Sequence, residues 1–151
     1  MLPLREITLL LSVAGCGLIA GVCFAFASFL MRSFDRLGAP GAIRVMQSLN
    51  AVILRSTTMA VWFGTVVVGI AAAVLSGGAL TAVAAAVLYG IGAVLITGLG
   101  NVPLNEALDT VDPDSAEAAD AWKRYRVQWG RWNALRTVLF VLAAVGFAMA
   151  M

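Results

Sequence analysis

Residues Ile7 to Met31 read ITLLLSVAGCGLIAGVCFAFASFLM, an unbroken run without Asp, Glu, Lys, Arg or His. A bilayer core about 30 Å thick takes roughly 20 apolar residues per helical crossing, so this run is long enough to span. Three more follow, Ser56 to Leu75, Leu80 to Leu99 and Ala134 to Met151, and Arg136 is the one charged residue inside any of them. Continuous runs argue against a β-barrel, whose strands are short and alternating. Composition agrees: 62% of the 151 residues are hydrophobic and 12% charged, against about 45–50% and about 25% in soluble domains. The expectation is one all-α integral membrane domain over residues 1–151, a four-transmembrane-helix bundle with helices at about 4–33, 40–75, 79–101 and 113–151. Arg5 before the first run and Ala25-Phe26-Ala27 within it imitate a signal peptide and its cleavage site, but the run is far longer than a signal's apolar region. It is therefore read as a retained crossing.

Four crossings place Arg32 to Arg55 and Asn101 to Arg136 on one side, with the termini and the Ser76 to Ala79 turn on the other. Nine of the ten Lys and Arg residues fall on the first side and only Arg5 on the second. The positive-inside rule then makes the long loops cytoplasmic and both termini external, in a plasma (inner) membrane. Orientation and contact with anionic lipid account for these charges, so nucleic acid is not an expected partner.

The chain has no histidine, which removes the commonest metal ligand and general base and excludes Glu-x-x-His di-iron sites. Cys16 and Cys23 lie seven residues apart on one helix, about 10 Å, too far for a disulfide, and read as packing residues. Neither a metal nor a cofactor is expected. Any chemistry falls to carboxylates, amides, Arg, Tyr and Trp.

Asp112-Pro113-Asp114 carries a helix-start signal, and Pro40 offers another. The second and fourth helices are thus expected to overrun the membrane on the cytoplasmic side. At about 100° per residue, Trp122, Tyr125, Trp129, Trp132, Asn133 and Arg136 share one arc of roughly 100°. Arg44, Gln47, Ser48, Arg55 and Thr58 share another, with Asn50 off its edge. Asn101 and Asn105, flanking Pro103, are neighbours if the helix continues. Together these residues outline a pocket with an aromatic wall, several amides and two arginines, suited to a flat, polar-edged aromatic ligand.

The bland alternative is an interfacial aromatic belt with snorkelling arginines. It leaves Gln47, Asn50, Asn101, Asn105 and Asn133 without a use, because amides near lipid are costly unless paired. The expected ligand-binding set is Gln47, Asn50, Arg55, Asn101, Trp122, Tyr125, Trp129 and Trp132. Gly17 and Gly21, with Ala86 and Gly90, permit close helix contact, which is compatible with a homo-oligomer without requiring one.

Three segments and one longer motif resemble the anthrone oxygenase-like family of small four-helix membrane proteins: Ala20 to Phe26, Met46-Gln47-Ser48-Leu49-Asn50, Asn101-Val102-Pro103-Leu104-Asn105, and Trp122-x-x-Tyr125-x-x-x-Trp129-x-x-Trp132-Asn133-x-x-Arg136. The resemblance implies the same fold and an oxidation of anthrones to anthraquinones. Such an oxidation proceeds through an enolate that reacts with dioxygen directly, so a membrane-embedded, cofactor-independent oxygenase is the expected function. On that expectation Arg136, Asn133 and Asn105 are the catalytic residues, stabilising the enolate oxygen. Glu106, Asp109 and Asp35 are the candidate bases, with an ionised phenol on the ligand as an alternative to any of them. The competing expectation is a non-catalytic protein that binds a quinone, lipid or isoprenoid, or a structural subunit of a membrane complex. A transporter fits less well, because the spans carry no acid and show no repeat.

Overall fold

The computed structural model describes residues 2–151. Among these the chain is all helical, and the four apolar runs become four helices long and apolar enough to cross a membrane. The protein is an integral membrane protein. In chain order the helices are α1 (Leu4–Asp35), α2 (Gly38–Ile53), α3 (Thr57–Leu75), α4 (Leu80–Asp109) and α5 (Ala118–Met149). α1 packs on α3 and α5, and α4 packs on α5. The outer surface carries Leu11, Leu18, Val67, Val74, Val94, Leu99, Val138 and Val145, all exposed, as a lipid-facing wall requires. Arg5 donates to the carbonyl of Ala150, which ties both ends of the chain to one end of the bundle.

Two cores stack along the bundle axis. One, built on Leu9, Ile19, Tyr89, Phe140 and Phe147, fills the half nearer the termini. The other gathers Met31, Phe34, Ile43, Met46, Leu108, Trp122 and Tyr125 at the opposite end. The polar atoms of the first core find partners: Trp62 donates to the Ala93 carbonyl at 3.1 Å and Tyr89 to the Trp62 carbonyl at 3.1 Å.

Three helix boundaries differ from expectation. The second helix is not continuous over 40–75, because Ser56 adopts extended backbone (φ −91°, ψ 160°) and its hydroxyl donates to the Ile53 carbonyl at 2.7 Å. The expected overrun of that crossing is therefore a separate amphipathic helix, α2. The third helix does not end at Asn101. A π-helical stretch, Ile91–Asn101, precedes Val102, and Pro103 falls in the first turn of the segment that continues to Asp109. There its missing N–H is one that a new turn would leave unused. The fourth helix starts at Ala118 rather than 113. Asp112 instead accepts from the Asp114 N–H at 3.0 Å through its side chain and from the Ser115 N–H at 3.1 Å through its carbonyl, forming a local turn.

With 32 residues, α5 is about 48 Å long at 1.5 Å per residue. It exceeds the hydrocarbon thickness. α1 and α4 also outrun the core, with 32 and 30 residues.

Candidate functional site

A cavity of about 350 Å³ opens among all five helices, within the range of small-molecule sites. α1 contributes Cys23 and Phe26, α2 contributes Met46 and Asn50, and α3 contributes Thr58 and Trp62. α4 gives Thr97, Asn101 and Asn105, and α5 gives Trp129 and Arg136. The spacings explain why: 97, 101 and 105 recur every four residues, and 129 and 136 stand seven residues apart, about two helical turns, so each set faces one way.

Arg136 is the centre of the site. It lies 13 residues before the end of α5, about 20 Å along the axis, and is 7% exposed. Its Nε and Nη2 donate to Asn133 Oδ1 at 3.2 and 3.0 Å, and Nη1 donates to Thr97 Oγ1 at 3.4 Å. The guanidinium carbon stands 5.3 Å from the ring centres of both Trp62 and Trp129, a cation held between two indoles. Among the described residues no carboxylate pairs with it and none lines the cavity. A buried guanidinium thus faces an apolar space with no neutralising charge. Its first-order chemical preference is for an anion or an oxygen that becomes one.

Asn133, fully buried, does not line this space. Its amide oxygen serves Arg136 and its Nδ2 donates to the Cys23 carbonyl at 2.8 Å. It fixes the guanidinium rather than meeting a ligand. Asn105 does line the cavity, and its Oδ1 accepts from the Tyr125 hydroxyl at 2.9 Å, which leaves its NH₂ as a donor. Asn101 donates to the Trp129 carbonyl at 3.3 Å.

Of the expected ligand-binding set, Asn50, Asn101 and Trp129 line the cavity and the others lie elsewhere. Gln47 donates to the Leu108 and Val111 carbonyls, both at 3.0 Å, and so braces the end of α4. Arg55 is exposed on the α2–α3 turn. Arg44 pairs with Asp114. Trp122 donates to Asp35 at 3.0 Å, and Arg126 pairs with the same carboxylate at 2.7 Å. Trp122, Tyr125 and Trp129 stack in series, with centroid separations of 5.7 and 6.1 Å, so only the last is offered to the cavity. Trp132 is 40% exposed and lies against Gly100, where an added Cβ would meet its ring at 2.6 Å. Of the three carboxylates considered as bases, Asp109 alone bonds a cavity residue, accepting from Asn50 at 3.3 Å.

Trp62 and Thr97 were not expected in the site, since both sit inside runs that read as lipid-spanning. A mid-span Trp was the available signal, because a buried indole N–H needs a partner.

Residues 54–146 match the family model described as anthrone oxygenase. The chain belongs to the anthrone oxygenase family. No curated protein and no solved structure matches it. The family match takes in α3, α4 and most of α5, and with them Trp62, Thr97, Asn101, Asn105, Trp129, Asn133 and Arg136. Cys23, Phe26, Met46 and Asn50 complete the anthrone oxygenase family cavity from outside the matched stretch.

Proposed function

We propose that this protein is a membrane-embedded oxygenase that converts an anthrone-like polycyclic aromatic ketone and dioxygen into the quinone and water without a bound cofactor. The observation that carries this reading is Arg136, a buried cation with no carboxylate partner among the described residues, facing an aromatic-walled cavity. Loss of a proton from the carbon opposite the ketone gives an enolate. Its negative oxygen takes the place of the missing counter-charge at Arg136, with the Asn105 NH₂ as a second donor. The site then favours the charged form over the neutral ketone, which is the differential binding that catalysis requires. Asn133 acts through Arg136 as a positioning residue. Trp129 and Trp62 form the flat walls.

The electrons come from the substrate alone. The enolate carbon transfers two electrons to dioxygen as the C–O bond forms, and protonation gives a hydroperoxide. Loss of the second hydrogen on that carbon as a proton, with cleavage of the O–O bond, yields the new carbonyl and releases hydroxide as water. One oxygen atom enters the product and the other leaves as water. The first proton passes to water.

The absence of a carboxylate from the cavity wall among the described residues favours a second reading, a protein that binds a quinone, lipid or isoprenoid without turning it over. Oxygen uptake separates the two. The full chain in nanodiscs, given an anthrone, is expected to consume oxygen well above the spontaneous rate, with one oxygen molecule per quinone formed and no effect of a chelator. Binding without uptake above background supports the non-catalytic reading and refutes the oxygenase.

A further inference from the structure

We infer that the cavity is filled sideways from the bilayer, through a mouth between the start of α3 and the second half of α4, and that its ligand is an uncharged molecule dissolved in the lipid. The inference takes the ligand's class, a flat aromatic ketone, from the oxygenase reading and adds the route by which it arrives. Four residues mark the mouth, because they line the cavity and are also exposed on the outer surface: Val22 on α1 (36%), Val52 on α2 (63%), Leu54 on the α2–α3 turn (70%) and Val102 on α4 (38%). All four are apolar.

The packing explains the gap. α3 and α4 lie together over Leu80–Gly90 and are hydrogen-bonded where Trp62 donates to the Ala93 carbonyl at 3.1 Å. Further along they part, since the Ile91–Asn101 stretch makes little contact with α3. That stretch is π-helical, a recognised cause of helix bending. α2, packed on α1, α4 and α5, covers the cavity from the side of the connections with Met46 and Asn50.

The surroundings of the mouth are those of lipid. Phe63, one turn beyond Met59 on α3, and Leu99, three residues before Val102 on α4, are exposed, so the apolar outer wall runs up to both lips. Arg55, exposed beside Leu54, sets the headgroup level, where an arginine's charge reaches water. The mouth therefore faces acyl chains just inside that level. Lipid tails are as apolar as the cavity wall, so a ligand gains little from burial as such when it moves from one to the other. What distinguishes the cavity is Arg136, the one charged residue that lines it among the described residues. The site thus draws from the lipid those molecules with an oxygen to offer the guanidinium. A fixed charge would have to cross the acyl region unpaired, which is costly, and the route excludes it although Arg136 would hold it.

The measurement is ligand exchange by the full chain in nanodiscs, which leave both membrane faces open to water. It is read by quenching of tryptophan fluorescence, counting only the part that Arg136→Met abolishes, which separates cavity occupancy from collisions in the lipid. The probes are anthraquinone, which dissolves in the bilayer, and anthraquinone sulfonate, which stays in the water. Anthraquinone is expected to quench and the sulfonate to leave the fluorescence unchanged. Val102→Phe and Leu54→Phe narrow the mouth and are expected to slow association and dissociation of anthraquinone together, by about tenfold, with Kd kept within about twofold. Val94→Phe, on the lipid-facing surface of α4 outside the cavity, is expected to exchange at the parent rate.

Entry of the sulfonate within about tenfold of the anthraquinone rate overturns the inference. So does parent-rate exchange in both mouth variants, equal slowing in Val94→Phe, or no quenching by anthraquinone. A change in dissociation alone also overturns it, because the added ring then touches the bound ligand rather than standing in its path. Slowed exchange in the mouth variants, with no oxygen uptake by the parent on an anthrone, keeps the inference and refutes the oxygenase. Oxygen uptake with unslowed exchange does the reverse. The two probes on the unaltered chain decide the matter even if neither mouth variant folds.

Discussion

Replacing Arg136 by Met removes the charge and keeps an unbranched side chain. Several losses follow. Asn133 Oδ1 forfeits both of its donors, at 3.2 and 3.0 Å, and is left an orphaned buried acceptor at a cost of about 1–3 kcal/mol. Two cation–π contacts at 5.3 Å also disappear, each worth about 0.5–2 kcal/mol. Against these stands a gain: a buried, uncompensated guanidinium is no longer held away from water, a penalty of several kcal/mol per ion. The opposing amounts are of similar size, and the expected net change is within about 2 kcal/mol. For a domain of this length that is a thermal midpoint shift of less than about 8 °C. Turnover has no such compensation. Removing one donor aimed at a developing oxyanion costs about 10²–10³ in kcat. The assay pairs thermal unfolding in detergent with oxygen uptake on an anthrone. A Met variant that turns over within about tenfold of the parent would show that the reaction is not built on Arg136. One that cannot fold would show that the arginine is chiefly a structural keystone.

Trp129→Ala takes away one of the two indoles flanking Arg136 and is expected to lower uptake more than about tenfold, whereas Trp132→Ala, which only uncovers Gly100, is expected to leave it within about twofold; parallel uptake assays compare them. Gly15→Val drives a side chain into Thr65 where α1 meets α3, and overpacking of this kind costs about 1–3 kcal/mol, seen as a lowered thermal midpoint. A reporter fused after Met151 is expected to read out as external, following the nine-to-one distribution of Lys and Arg; a cytoplasmic signal would reverse the orientation.

The fold was legible because hydrocarbon imposes one rule, about 20 apolar residues per crossing, and the four runs obey it without ambiguity. The helix ends were less legible. Pro40, Pro103 and Pro113 send similar local signals, yet Pro40 lies inside the first turn of α2, Pro103 follows a π-helical stretch, and Pro113 sits in an Asx-closed turn. Tertiary packing chose between these outcomes, and local sequence does not encode that choice. For the site, helical arithmetic on α5 brought Trp129, Asn133 and Arg136 together correctly, since that helix is continuous from Ala118 to Met149. The same arithmetic failed on α2 itself, whose helix ends at Ile53 and leaves Arg55 on the turn, although Thr58, beyond Ser56, does reach the cavity. Asn50, off the computed arc, lines the cavity, while Arg55 and Ser48, on the arc, are exposed. Trp62 stayed hidden because its neighbours are all apolar.

The position of Arg136 also bears on how the molecule is made. A guanidinium within a span opposes insertion by up to about 2.5–3.5 kcal/mol, and α5, which carries it, is the least apolar of the four candidate spans. Its partners Thr97 and Trp62 belong to α4 and α3, which leave the ribosome first. Of the four spans α5 is thus the one least able to enter the bilayer alone, and the groups that receive its arginine stand on spans made before it. The contact of Arg5 with the Ala150 carbonyl can close only once α5 has joined α1.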